Sequence, residues 1–144
     1  MIVVSGGFDP VHVGHVRMIH AARAYGRVVI VVNSDEWLLR KKGYVFMPYR
    51  DRVEVLRLDP RLTVTGVDDA DDTVCEALER LRPYYFGNGG DRTTANEKEH
   101  ELCLRLGIRE KFGLGGGKVR SSSEIVKQHF NGRLLDNYTH ALSR

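Results

Sequence analysis

Val28-Val29-Ile30-Val31-Val32 is a run of five β-branched residues with no polar residue among them. It restricts what this chain can fold into more than any other stretch. A strand with one wet face alternates apolar and polar residues. A strand without alternation must be covered on both faces, as in a parallel sheet flanked by helices. Ile2–Ser5 is a second such run and ends at Gly6-Gly7, as a buried strand does when it enters a loop. Between the two, Val16, Ile19 and Ala22 recur at helical spacing with Met18 nearby, and Gly26 supplies a stop. Parallel neighbours need such a crossover, so the first third of the chain reads as a βαβ unit.

The same alternation continues. Ser34–Arg40 reads as a short helix with Asp35 and Glu36 in its first turn, where negative charge suits the helix dipole. Lys41-Lys42-Gly43 reads as a loop, and Pro48 as the opening of a helix through Leu58 that Asp59-Pro60 ends. Leu62–Val67 is a third strand and Thr73–Leu81 a helix. Tyr84–Phe86 is a short fourth strand that stops at Gly87, and Asn96–Leu106 is a helix capped by Gly107. Ile108–Leu114 supplies a fifth strand, and Ser121 with Glu124 has the spacing of a capping box. The expected fold is α/β: a doubly wound, mostly parallel five-stranded sheet of Rossmann-like type, in which ligands bind beyond the carboxyl ends of the strands. Residues 1–130 form one domain, and 131–144 a weakly patterned tail packed on it.

The 144 residues suffice for one domain with a sizeable core, and a net charge of +3 with basic and acidic residues interleaved favours an anionic partner without singling out nucleic acid; a small anionic molecule fits as well. Cys75 and Cys103 form neither a CxxC nor a Cys/His spacing, which fits a reducing cytoplasm. The N-terminus reads as a strand and not a signal peptide, and no apolar run approaches the ~20 residues of a membrane span.

The chemistry-bearing residues gather in the loops. His12 and His15 are three apart at the opening of the first helix, with Gly14 between them. Residues at that spacing share a face, and a helix N-terminus adds N–H groups and partial positive charge, so the pair suits gripping a phosphate chain. Two surface histidines on an ordinary turn are the plain alternative, and a metal site lacks a third ligand at useful spacing. Lys118-Val119-Arg120-Ser121-Ser122-Ser123 offers hydroxyls, amides and positive charge for a second phosphate cradle, beyond what one helix cap needs. Gly87-Asn88-Gly89-Gly90-Asp91-Arg92 is either a tight turn or a place where backbone meets a base or ribose. Asp68, Asp69, Asp71 and Asp72 read as a helix cap and solvated turn in preference to a magnesium site, and His20, His100, His129 and His140 as surface or packing residues without partners. Gly113–Lys118 fails as a P-loop because Phe112 and Val119 occupy required positions. No GxGxxG follows the first strand, which disfavours a dinucleotide oxidoreductase.

The stretch GGFDPVHVGH, Gly6 to His15, resembles the GxFDxxHxGH signature of the cytidylyltransferase-like nucleotidyltransferases, whose core is HxGH. Val32-Asn33-Ser34-Asp35, Lys42-Gly43, Pro48 with Arg52–Leu56, and Gly89-Gly90-Asp91 follow in the order found in bacterial ADP-heptose synthase nucleotidyltransferase domains. The layout is also similar to glycerol-3-phosphate cytidylyltransferases. The resemblance implies transfer of CMP or AMP from CTP or ATP to a phosphorylated sugar or phospho-alcohol, with Mg2+, pyrophosphate release and a homodimer. It implies catalytic roles for His12, His15, Lys42 and Arg120. It implies nucleotide contacts from Gly7, Phe8, Asp9, Gly14, Arg52, Gly89, Gly90, Asp91, Ser121, Ser122 and Ser123, and no metal-binding side chain. The segment before the serines departs from the RTEGISTT form, and no lysine lies between Asp68 and Pro83, which argues against glycerol phosphate. A non-catalytic nucleotide-binding module and a pantetheine- or nicotinamide-type adenylyltransferase are the competing readings.

Overall fold

The computed structural model describes residues 1–89, 96–117 and 121–128. Five strands, β1 (Ile2–Gly6), β2 (Val28–Val32), β3 (Thr63–Thr65), β4 (Tyr85–Gly89) and β5 (Arg109–Leu114), form one sheet in the order β3-β2-β1-β4-β5. Every pairing is parallel. All five residues of β2 are buried, as an unalternated run requires. The helices are α1 (Val13–Ala22), α2 (Asp35–Lys42), α3 (Tyr49–Leu56), α4 (Cys75–Leu81) and α5 (Glu97–Leu106), with a further helical stretch, α6, over 122–128. A 3-10 turn, Arg23–Tyr25, extends α1.

Side chains alternate along the strands and so build two cores. Ile2, Val4, Ile30 and Val32 pack with Met18, Ile19 and Ala22 of α1 and with Val53 and Leu56 of α3. Val3, Val29, Val31 and Phe86 pack with Ala77 and Leu78 of α4 and with Leu102 and Cys103 of α5. Burial pushes the Cys103 thiol up to about 12, so it is an inert core residue. The order in which strands are added reverses between β1 and β4. That places the topological switch point where the loops after these two strands open.

The structure revises several local expectations. Val16 is 45% exposed; α1 instead buries Met18 beside Ile19 and Ala22. Lys41 and Lys42 form the last turn of α2 and not a loop, and Gly43 closes that helix in the left-handed conformation, φ +81°. Strand β4 continues through Gly87-Asn88-Gly89. A Cβ on Gly87 would stand 2.6 Å from Leu114 and 3.0 Å from Val4, and one on Gly89 2.6 Å from Met18 Sδ. These glycines let β4 lie close against β5 and α1. The acidic turn knits the fold: Asp69 is buried and accepts from Asn33 and Ser34, and Asp72 pairs with Arg40. His100 has a partner after all, the Glu110 carboxylate. The tail, 131–144, with His129 and His140, lies outside the described residues.

Candidate active site

The site is built on the loop between β1 and α1. His12 is the N-cap of α1, and its Nδ1 accepts the Gly14 N–H at 3.0 Å. His15, one turn on, returns the arrangement: its Nδ1 accepts the His12 N–H at 3.1 Å. The two side chains thus form a capping box made of imidazoles. The rings stack, centroids 3.8 Å apart and planes 25° off parallel. A backbone N–H can only donate, so each Nδ1 presents a lone pair. In the neutral ring the hydrogen then resides on Nε2, at the opposite side. The cap therefore selects the tautomer that makes both histidines hydrogen-bond donors through Nε2. Burial, and after it the positive charges of His12 and Lys42, lower the His15 pKa to about 3. His15 is consequently neutral at physiological pH. Phe8, buried and held at φ +53°, backs the pair with its ring 4.6 Å from that of His15.

Two residues expected to touch nucleotide do something else. Arg52 is 0% exposed. Its guanidinium donates to the carbonyls of Met47 at 2.9 Å, Gly7 at 2.6 Å and Asn33 at 2.8 Å, and to Asp35 at 2.7 Å. It ties together the loops that follow β1 and β2. Asp9 is also fully buried, and its carboxylate accepts the N–H groups of Phe46 at 2.7 Å and Met47 at 2.5 Å. Gly7 is a glycine because α2 passes close by: a Cβ there would stand 2.9 Å from Leu38.

The serines divide their labour. Ser121 caps α6 by accepting the Glu124 N–H at 3.1 Å. Ser122 is buried and donates to the Pro10 carbonyl at 2.9 Å, which fastens α6 to the loop between β1 and α1. Ser123 is exposed. Gly90, Asp91, Lys118 and Arg120 lie outside the described residues.

Beside this loop is a cavity of about 760 Å³ that the sequence reading missed. Tyr44, Val45, Phe46 and Val126 form its apolar walls, while Lys41, Lys42, Lys127 and Ser123 bring charge and a hydroxyl. The one sequence signal for it is Tyr44-Val45-Phe46, an apolar triplet just past a helix-ending glycine. Near the carboxyl end of β4, Asn88 presents a buried Nδ2 with no hydrogen-bond partner among the described residues. Among the described residues no three His, Cys, Asp or Glu side chains are grouped to hold a metal ion.

The parallel α/β sheet carries His12-Val13-Gly14-His15 on the loop that opens at its switch point. The Cytidylyltransferase-like family profile matches residues 3–113, and the chain belongs to that family of nucleotidyltransferases. Among curated proteins it is 39% identical over 110 residues to the "Bifunctional protein HldE" of Streptomyces coelicolor, a match covering 74% of this chain and 24% of that protein. It is 28% identical over 133 residues to the "FAD synthase" of Pyrococcus abyssi, covering 88% and 90%. The chain therefore spans about a quarter of that bifunctional relative and nearly all of the synthase. Among solved structures, the lipopolysaccharide core biosynthesis protein from Thermoplasma volcanium shares the fold, with a TM-score of 0.63 at 18% identity over 78% of this chain and 92% of that one. No helix among the described residues is long and apolar enough to cross a membrane.

Proposed function

We propose that the protein transfers CMP or AMP from CTP or ATP to a phosphorylated sugar or phospho-alcohol. An oxygen of the acceptor phosphate attacks the α-phosphorus, the α–β anhydride bond breaks, and pyrophosphate leaves. The observation that carries this reading is the imidazole capping box. It fixes two Nε2–H donors side by side, that of His15 on a neutral ring, and each can bond phosphate oxygens as negative charge builds on them. Lys42 adds positive charge next to His15. In this reading Arg120 neutralises phosphate, Ser123 offers a hydroxyl, and Mg2+ enters with the triphosphate as part of the substrate. The buried carboxylates of Asp9 and Asp69 are already engaged by the chain's own donors, which fits a metal carried by phosphate oxygens. There is little covalent chemistry for the protein to perform, so positioning and charge stabilisation do the catalysis. The FAD synthase relative brings a flavin phosphate within the phospho-alcohols to be tested.

The test is pyrophosphate release from ATP or CTP with Mg2+ and a panel of phosphosugars and phospho-alcohols, flavin mononucleotide included. His15→Asn is the informative variant, because its amide oxygen can still accept the His12 N–H while the Nε2–H is gone. Its kcat should fall about 10²- to 10³-fold, the loss typical of one transition-state donor. Unchanged turnover would remove His15 from the mechanism, and no pyrophosphate with any pair would overturn the proposed reaction.

A further inference from the structure

We propose that the cavity beside the phosphate loop binds the acceptor, and that the acceptor is a phosphate monoester carrying a planar aromatic ring system. This rests on the nucleotidyl-transfer reading above and narrows its substrate. Both walls of the cavity hang from the same dipeptide. Asp9 fixes the backbone of Phe46 and Met47, and the Pro10 carbonyl receives the Ser122 hydroxyl that anchors the helix bearing Val126 and Lys127. The cavity is therefore held in register with His12 and His15, on the continuation of their loop.

Its volume lies within the roughly 300–1,000 Å³ of small-ligand sites. Its chemistry is two-sided. Phe46 is 43% exposed although its backbone is pinned, so an aromatic ring is held out where a ligand can cover it. Tyr44 and the buried Val126 continue the apolar surface, which suits a flat ring better than a hydroxylated sugar, whose polar groups would lose water without gaining partners. Lys42 lies on the cavity and also acts electrostatically on His15, so a phosphate at that end sits toward the transfer site. Lys127 adds an ammonium on the other wall.

Flavin mononucleotide is the probe, because stacking on an aromatic wall quenches its fluorescence. The wild-type protein should quench it on titration, and riboflavin, lacking the phosphate, should bind at least about tenfold more weakly. Phe46→Ala keeps the backbone N–H that Asp9 needs, and it should weaken flavin mononucleotide about tenfold or more. The KM for the triphosphate should stay within about twofold. Phe46→Ala binding as tightly as wild type would overturn the inference. So would pyrophosphate release with sugar phosphates or glycerol phosphate when flavin mononucleotide neither binds nor reacts, and that result would leave nucleotidyl transfer standing. Phe46-dependent binding without pyrophosphate from any acceptor would support the cavity and count against the transfer.

Discussion

His15 holds most of the site's chemistry in one side chain. Its Nδ1 closes the cap of α1, its Nε2 carries the hydrogen, and its surroundings hold it neutral. That has a consequence for stability. Unfolded, an imidazole takes up its proton near pH 6.5; in the folded protein His15 does so only near pH 3. Between these values the unfolded chain binds more protons, so stability is lost as pH falls from about 6.5 towards 3. The Tm should therefore drop on acidification through this window, and His15→Asn should drop less steeply; parallel slopes in a thermal-melt series would contradict it. Asp59, held well below the usual carboxylate range by Arg61 and Arg23, also favours the folded state less as acid is added. It does so equally in both proteins, so the difference between them reports His15. The sequence showed the two histidines and their spacing. It did not show that His12 would cap the Gly14 N–H while His15 caps that of His12, because that depends on rotamers set once the loop is folded around Phe8.

At the scale of elements, periodicity and capping residues were enough to place most helices and strands. Ser34 and Asn96 open helices through their side chains, Gly107 closes one in the left-handed conformation, and the unalternated β2 is buried throughout. The misplacements have a shared cause. Gly87 and Gly89 read as a loop because glycine usually marks one, yet they lie in a strand whose neighbours leave no room for a Cβ. Only the packing of β4 on β5 and α1 reveals that. Gly115, in the turn that follows β5 as expected, is a glycine packed against backbone. It has φ +84°, and a Cβ would stand 2.7 Å from the Met18 N and 2.8 Å from the Arg17 carbonyl carbon, both backbone atoms of α1. Gly115→Ala should destabilise the protein by about 1–3 kcal/mol, since neither atom can swing aside. A urea midpoint equal to wild type would show that the turn relaxes freely.

Across the whole molecule, Arg52 and Asp9 decide how the active-site loops meet. Arg52 spans three carbonyls and Asp35 from a position with no exposure, and Asp9 holds the 46–47 backbone. Removing a buried charge of this kind strands its partners. Arg52→Met should lower stability by about 3–5 kcal/mol, read as a large fall in the guanidinium chloride midpoint. A variant of near wild-type stability that had lost triphosphate affinity would return Arg52 to the phosphate-facing role that sequence reading gave it. In linear order an arginine on a helix is as compatible with a ligand as with a buried hub. The β-branched runs by themselves determined a parallel, doubly covered sheet, and the His12–His15 spacing marked the loop between β1 and α1 as the candidate site, because both are local patterns of side-chain type and spacing. Only the tertiary structure decided which polar residues are consumed in holding the loops, and that a cavity opens between Phe46 and Val126. Those outcomes depend on which distant carbonyls and amides come within hydrogen-bond reach, and spacing along a chain does not encode that.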